Sequence, residues 1–139
     1  MKNCWIVIGL SLIITSCGPG DPFGYVQVSG KVTYEDDSLI PAHRIAVMFN
    51  PQAAPLDPKT YPRPGMAEVN GTDGSFDTVT SHKYGDGIVP GKHTVLIRAF
   101  DEQDQQIYVV PSEYSDAATT PLEIDTDQTT IFNFKVKKP

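Results

Sequence analysis

The chain has 139 residues, a formal net charge of −6 and a hydrophobic fraction of 40%, and it contains 12 prolines and 11 glycines. This length predicts one domain, and the hydrophobic content is typical of a packed core rather than of a disordered chain. The acidic balance argues against nucleic acid as a partner, since neutralising a phosphate backbone requires clustered Lys and Arg. Frequent turn residues, with no apolar pattern of helical period after the first segment, predict an all-β fold.

The first sixteen residues are predicted to be a cleaved signal peptide. Lys2 supplies a positive charge, and an apolar stretch runs from Trp5 to Ile14. A membrane-spanning helix needs about 20 apolar residues, so this stretch is too short to cross a bilayer but fits the apolar region of a signal peptide. It ends in Ile14-Thr15-Ser16-Cys17.

This ending resembles the lipobox of bacterial lipoprotein signal peptides. The resemblance implies a diacylglyceryl group on the Cys17 sulfur, cleavage before Cys17 and acylation of the new amine, with palmitate-type chains. Several acyl chains anchor firmly where one is marginal, at about 0.8 kcal/mol per buried methylene. The expected location is therefore extracytoplasmic and lipid-anchored to the cell envelope, and Gly18 favours the outer membrane if the cell has two. The alternative is an ordinary secretory signal cut at a nearby small residue.

Residues 17–24 are predicted to form a short, turn-rich tether, and residues 25–137 to form the domain. The segment Lys92–Phe100 has apolar residues on both faces, which predicts a strand in the middle of a sheet. Asp73-Gly74 predicts a hairpin turn at residues 71–74. The predicted strands, in chain order, are 25–35, 43–50, 66–70, 74–80, 92–100, 107–110, 122–124 and 129–137. Seven or eight short strands predict a two-sheet β-sandwich with Greek-key-type connections.

A proline-rich segment, residues 51–65, interrupts the strand pattern. It contains five prolines, which no ladder strand or helix tolerates, so we expect an exposed loop with polyproline II character. A tyrosine between prolines suits the aromatic groove of a partner. The candidate partner-binding residues are Pro58, Tyr61, Pro62 and Pro64. The alternative is that the prolines only stiffen a long connection and protect an edge strand.

Three short patterns resemble the carboxypeptidase regulatory-like domain. They are Val28-Ser29-Gly30-Lys31-Val32-Thr33-Tyr34, Thr72-Asp73-Gly74-Ser75-Phe76 and Asp86-Gly87-Ile88-Val89-Pro90-Gly91-Lys92-His93-Thr94-Val95. The resemblance implies a seven-stranded transthyretin-like (prealbumin-like) sandwich, common in small bacterial lipoproteins, that is an accessory or adhesion-type module without an active site. The chain departs from the family in its long proline-rich segment and in having His93 where a tyrosine is expected.

The residues argue against three other kinds of chemistry. A transthyretin-like hydrolase of 5-hydroxyisourate ends in Tyr-Arg-Gly-Ser, whereas this chain ends in Lys-Val-Lys-Lys-Pro. A Lys31–Asn133 isopeptide needs both side chains inside the core, yet strand parity places them on outer faces. The segment Asp101–Asp104 could bind calcium, but it lacks a glycine-turned ligand loop and is expected to be a solvated turn.

The three histidines do not predict a metal site, because no two have ligand-type spacing and no partner cysteine remains after cleavage. We expect His93 to be satisfied by one hydrogen bond at the edge of a sheet. No catalytic residue, metal or cofactor is therefore predicted.

The sequence thus predicts a non-enzymatic envelope protein that acts as a structural or protein-interaction module, with the membrane and an envelope protein or glycan as partners. The alternative is a surface domain that binds carbohydrate or another small ligand. The mature chain would lack tryptophan, the usual stacking platform for sugars. An exposed coplanar pair among the remaining tyrosines would favour the alternative; those considered are Tyr61, Tyr84, Tyr108 and Tyr114.

Overall fold

The computed structural model describes residues 21–139. The predicted signal peptide, Cys17 and the first residues of the predicted tether lie outside this part of the chain. In the described part, no helix is long and apolar enough to cross a membrane.

The described residues form a β-sandwich of two sheets. The strands are β1 (Ser29–Tyr34), β2 (Arg44–Pro51), β3 (Gly65–Glu68), β4 (Ser75–Phe76), β5 (Val79–Thr80), β6 (Lys92–Phe100), β7 (Gln106–Ile107), β8 (Glu123–Asp125) and β9 (Ile131–Val136), with a 3₁₀ turn, η1, at Ser112–Ser115. The smaller sheet has the order β4-β1-β9. The larger has the order β5-β3-β2-β6-β7, with β8 also paired to β6. The all-β prediction is confirmed.

Strand β6 is an interior strand of the larger sheet, as its apolar residues on both faces predict. It pairs antiparallel with β2 along one side, and with β8 and then β7 along the other. Val95 and Ile97 point into the sandwich and are buried. Leu96 is also buried on the opposite face, where the η1 segment lies against β6 and the Ser115 carbonyl accepts a hydrogen bond from Arg98.

The smaller sheet brings the first and last strands together. Strands β1 and β9 are parallel, with Ser29 opposite Ile131 and Tyr34 opposite Val136. Alternation along β9 buries Phe132, Phe134 and Val136 and exposes the residues between them, as predicted. Period-2 patterning fixes which face of a strand is buried, because successive side chains point to opposite sides.

Phenylalanine rings join the two sheets. Phe49 of β2 is fully buried, and its ring centroid lies 6.0 Å from that of Phe76 in β4 and 6.3 Å from that of Phe134 in β9. Phe76 and Phe134 stack on each other at 6.1 Å, and Phe132 stacks on Phe134 at 6.3 Å. This cluster forms the centre of the core.

The predicted hairpin around residues 71–74 forms only in part. Strand β5, within the predicted strand 74–80, pairs antiparallel with β3, but β4, directly after the turn, does not. The local turn does form, since the Asn70 N–H donates to Ser75 O at 2.7 Å and the Gly74 N–H to Asn70 O at 2.8 Å. However, β3 stays in the larger sheet while β4 pairs with β1 in the smaller one. Turn residues fix only the reversal of the chain; the burial of Phe76 in the aromatic cluster determines which sheet the following strand joins.

Gly30→Ala should destabilise the sandwich by about 3 kcal/mol, because overpacking costs are of this order. A Cβ at Gly30 would lie 1.7 Å from the backbone oxygen of Phe132, so β1 and β9 would have to separate. Gly71→Ala is the matched control, since its Cβ would meet nothing within 4 Å. Urea unfolding of the two variants measures the difference, and equal midpoints would show that the β1–β9 contact is not tight.

Candidate functional site

The strongest candidate from the sequence, the proline-rich segment, is an exposed loop. It comprises residues 52–64, called here the proline loop, because Pro51 ends β2 and Gly65 begins β3. Of the predicted binding residues, Pro58 and Pro64 are exposed, Pro62 is half-buried, and Tyr61 is 60% exposed. The exposure of the segment is confirmed.

The middle of the proline loop folds into a turn around Asp57, so it is not extended throughout. The Leu56 N–H donates to Thr60 O at 3.0 Å. The Asp57 carboxylate accepts the Lys59 N–H at 2.7 Å and the Thr60 hydroxyl at 2.9 Å. These two donors, the Lys59 N–H first, lower the pKa of Asp57 below its ordinary value. The carboxylate therefore stays ionised and holds the turn.

The residues that enter the domain lie beside this loop. The Asp21 carboxylate accepts the Phe23 N–H at 3.0 Å and the Tyr25 hydroxyl. The bond from the Tyr25 hydroxyl is the main reason that the pKa of Asp21 is lowered. Val26 and Ile88 exchange two backbone hydrogen bonds of 2.8 and 2.9 Å. The chain thus pairs with the sandwich at Val26, and the Asp21 carboxylate orders the short segment that leads to this residue.

A shallow cleft of about 260 Å³ lies between the entering residues and the proline loop. Its walls combine cations, aromatic rings and one carboxylate: Asp21, Pro22, Phe23, Lys59, Thr60, Tyr61, Arg63 and His82. We call the end of the sandwich that contains this cleft, the proline loop and the turn at residues 81–87 the tether end. An exposed surface of this composition can form hydrogen bonds, bind anions and pack against flat apolar groups, but it provides no enclosed pocket.

The turn at residues 81–87 is held by Asp86. Its carboxylate accepts the backbone N–H groups of Ser81 at 2.9 Å, His82 at 3.1 Å and Lys83 at 2.8 Å. Partial burial alone would raise the pKa of Asp86, but the N–H donors outweigh it and the pKa is lowered. This arrangement fixes His82 in the wall of the cleft.

The histidines lie apart from one another. His43 and His82 are exposed, whereas His93 is fully buried. Between residues 21 and 139, no three His, Cys, Asp or Glu side chains form a group able to hold a metal ion. The expectation that His93 lies at a sheet edge is wrong, because Pro51 of β2 and Ile124 of β8 flank it on both sides.

His93 makes one hydrogen bond, as expected. Its Nδ1 lies 3.2 Å from Gly91 O, which fits the tautomer with the proton on Nδ1 because a carbonyl only accepts. Its Nε2 is buried without a partner in the described structure. Burial lowers the pKa of His93, and the bond to Gly91 offsets this only in part. The ring is therefore a neutral core residue, packed edge-on against Phe49.

The residues of the possible calcium site and of the possible isopeptide have structural roles. Asp101 accepts the backbone N–H groups of Gln103 and Gln105, both at 2.9 Å, and Asp104 forms an ion pair with Arg44. Lys31 and Asn133 lie side by side in the β1–β9 pair, but both are exposed on the outer face, as parity predicts.

The exposed tyrosines do not form a stacking platform. Tyr61, Tyr84 and Tyr108 are exposed, but none takes part in a ring–ring contact within the described chain. Tyr114 is buried, and its hydroxyl accepts the Lys137 N–H at 3.2 Å.

Sequence reasoning found the proline loop but missed its neighbours. Asp21, Arg63 and His82 come from three separate segments, and no local pattern indicates that they meet. Comparison of the chain with protein-family models, curated proteins and solved structures found no match.

Asp57→Ala should loosen the proline loop, because the turn loses both side-chain hydrogen bonds. Limited trypsin digestion should then cut the Lys59–Thr60 bond several-fold faster, since proteolysis follows local opening. Asp77→Ala is the matched control, because Asp77 is exposed and its carboxylate accepts only the Thr78 hydroxyl. Equal cleavage rates in both variants would show that Asp57 does not order the loop.

Lowering the pH should destabilise the fold through His93. The unfolded chain protonates this ring below about pH 6.5, whereas the folded chain resists protonation, so the unfolded state binds more protons. The stability is complete above that pH and is lost as the pH falls towards the lowered folded pKa. His93→Leu should therefore show a smaller drop in urea midpoint between about pH 7.5 and about pH 5. His43→Leu, at an exposed site, should keep the full drop; an unchanged drop in His93→Leu would contradict this assignment.

Proposed function

We propose that this protein is a non-enzymatic lipoprotein of the cell envelope, anchored by acyl chains on Cys17, with a β-sandwich that acts as a structural or protein-interaction module. The observation that carries the proposal is Ile14-Thr15-Ser16-Cys17 directly after an apolar stretch of signal-peptide length. The position is extracytoplasmic, and Gly18 favours the outer membrane in a cell with two membranes.

The use of the acidic side chains supports a module without catalysis. Asp57, Asp86 and Asp101 accept backbone N–H groups and hold turns. Three further carboxylates form ion pairs: Asp104 with Arg44, Asp37 with Lys135, and Asp36 with Lys138. These carboxylates therefore serve turns and ion pairs of the fold, whereas a catalytic carboxylate is usually one of several titratable groups that converge in a concave site.

The finer fold proposed is the transthyretin-like sandwich of the carboxypeptidase regulatory-like domain. In support, each of the three resembling patterns coincides with a strand or a turn of the sandwich. Val28–Tyr34 contains β1, Thr72–Phe76 contains the turn that crosses into β4, and Asp86–Val95 contains the turn into the interior strand β6. The proline loop is then an insertion between β2 and β3 and the surface proposed for partner binding.

The protein-interaction module is preferred over a carbohydrate-binding domain. Tyr61 and Tyr84 lie at the tether end. Tyr108 lies apart from them, next to Val109, whose carbonyl accepts a hydrogen bond from the Tyr34 hydroxyl at the end of β1. A carbohydrate-binding site would present its aromatic rings together. The separation of Tyr108 from the other tyrosines therefore favours the protein-interaction module over a carbohydrate-binding domain.

Cys17→Ala should abolish acylation, because this thiol is the proposed attachment point. Cells grown with labelled palmitate should then yield unlabelled protein that no longer enters the detergent phase on Triton X-114 separation. Cys4→Ala changes the other cysteine, within the predicted signal, and should remain labelled and anchored. Labelled Cys17→Ala protein would refute the proposed anchor, and the mass of the N-terminal peptide gives an independent check.

A further inference from the structure

The distance between the proposed anchor and the sandwich is limited by chain length. Cys17 precedes Asp21 by four residues, each spanning at most about 3.6 Å, so their Cα atoms lie within about 14 Å whatever conformation residues 17–20 take. Asp21 accepts hydrogen bonds from Phe23 and Tyr25 within the entering segment, and this segment pairs with the sandwich through Val26 and Ile88. Since the polar layer of a bilayer is about 5–7 Å thick on each side, the tether end stays within about 10 Å of the lipid surface.

The tether end exposes large side chains of the type that occupies a membrane interface. Leu56 is 61% exposed, Tyr61 60% and Tyr84 89%. Tyrosine combines an apolar ring with a polar tip and is enriched at the headgroup level of membranes. The Asp57 turn and the neighbouring prolines already order Leu56 and Tyr61, so little conformational entropy is lost on contact.

The cations are distributed unevenly between the two ends. The three ion pairs found in residues 21–139 belong to Arg44, Lys135 and Lys138, next to the turns at Asp36–Asp37 and Asp101–Asp104, at the end opposite the tether. The cations of the tether end are exposed and belong to none of these pairs: Lys59, Arg63, Lys83 and Lys92. They remain available for lipid phosphates.

Acidic groups nevertheless outnumber these cations. Asp21, Asp57 and Asp86 lie at the same end and accept hydrogen bonds. Two further acidic residues, Glu123 and Asp125 of β8, flank this end beside Lys92, whose carbonyl accepts the Gln52 N–H. The affinity of this end for lipid therefore comes from apolar and hydrogen-bonding groups acting at close range, and net positive charge does not drive it.

We propose that the tether end rests on the headgroup layer of the membrane that holds the anchor, with Tyr61 and Leu56 reaching into the interface. This proposal depends on the acylation of Cys17 proposed above. The acyl chains hold the end at high effective concentration, so weak contacts suffice to orient the sandwich. The opposite end, with its ion-paired turns, then faces away from the bilayer.

Single tryptophans can test this orientation in the full-length, acylated protein. Cleavage removes Trp5, so the mature chain has no tryptophan background. Tyr61→Trp and Tyr108→Trp form a matched pair, since the native side chains are 60% and 64% exposed at opposite ends. Each variant is reconstituted into phosphatidylcholine–phosphatidylglycerol vesicles, with or without brominated acyl chains. Tyr84→Trp provides a second reporter at the tether end if Tyr61→Trp folds poorly.

Brominated lipid should quench Tyr61→Trp at least about two-fold and leave Tyr108→Trp nearly unchanged, because quenching requires contact with the acyl region. Equal quenching of both variants, or stronger quenching of Tyr108→Trp, would overturn the proposed orientation while leaving the anchor intact. Failure of the anchor is seen separately: a protein without the acyl mass that does not float with vesicles would overturn both proposals.

Discussion

The contact between Phe49 and the pair Phe76–Phe134 is the interaction on which the rest of this structure depends. Phe49 belongs to the larger sheet and the other two rings to the smaller one, so the cluster determines how the sheets meet. Each buried aromatic side chain removes about 150–250 Å² from water. The proline loop begins three residues after Phe49, and Gly65 at its far end sits where a Cβ would clash with Ile88. The core therefore sets both points from which the exposed loop emerges.

Local patterns were enough to predict much of the fold. Alternation along β9 predicts its buried face, and the two-sided apolar character of residues 92–100 predicts an interior strand of the sheet. Both inferences depend on side-chain direction, which follows from strand geometry alone. The partner of each strand is not a local property. The reversal at residues 71–74 was therefore predicted, but the transfer of β4 to the other sheet was not, because it depends on where Phe76 finds its neighbours.

The same division applies to the candidate site. Proline density marked the exposed loop, and Tyr61 was identified within it. The meeting of Asp21, Arg63 and His82 around that tyrosine was not predictable, because the three residues come from separate segments that only the folded sandwich brings together. His93 shows what alternation along a strand can predict. Alternation places its side chain on the inward face, but the strands that flank it are not a local property of the sequence. The structure makes it an interior residue with a neutral ring.

The parallel pairing of β1 with β9 has a consequence for biogenesis. Partners such as Thr33 and Lys135 are separated by 102 residues, so the smaller sheet cannot close until nearly the whole polypeptide has been synthesised. Contacts between residues so far apart in sequence slow folding. A growing chain has no β9 until synthesis is nearly complete. The smaller sheet therefore stays incomplete while the polypeptide emerges from the ribosome, although β2, β3 and β6 of the larger sheet can already pair with one another.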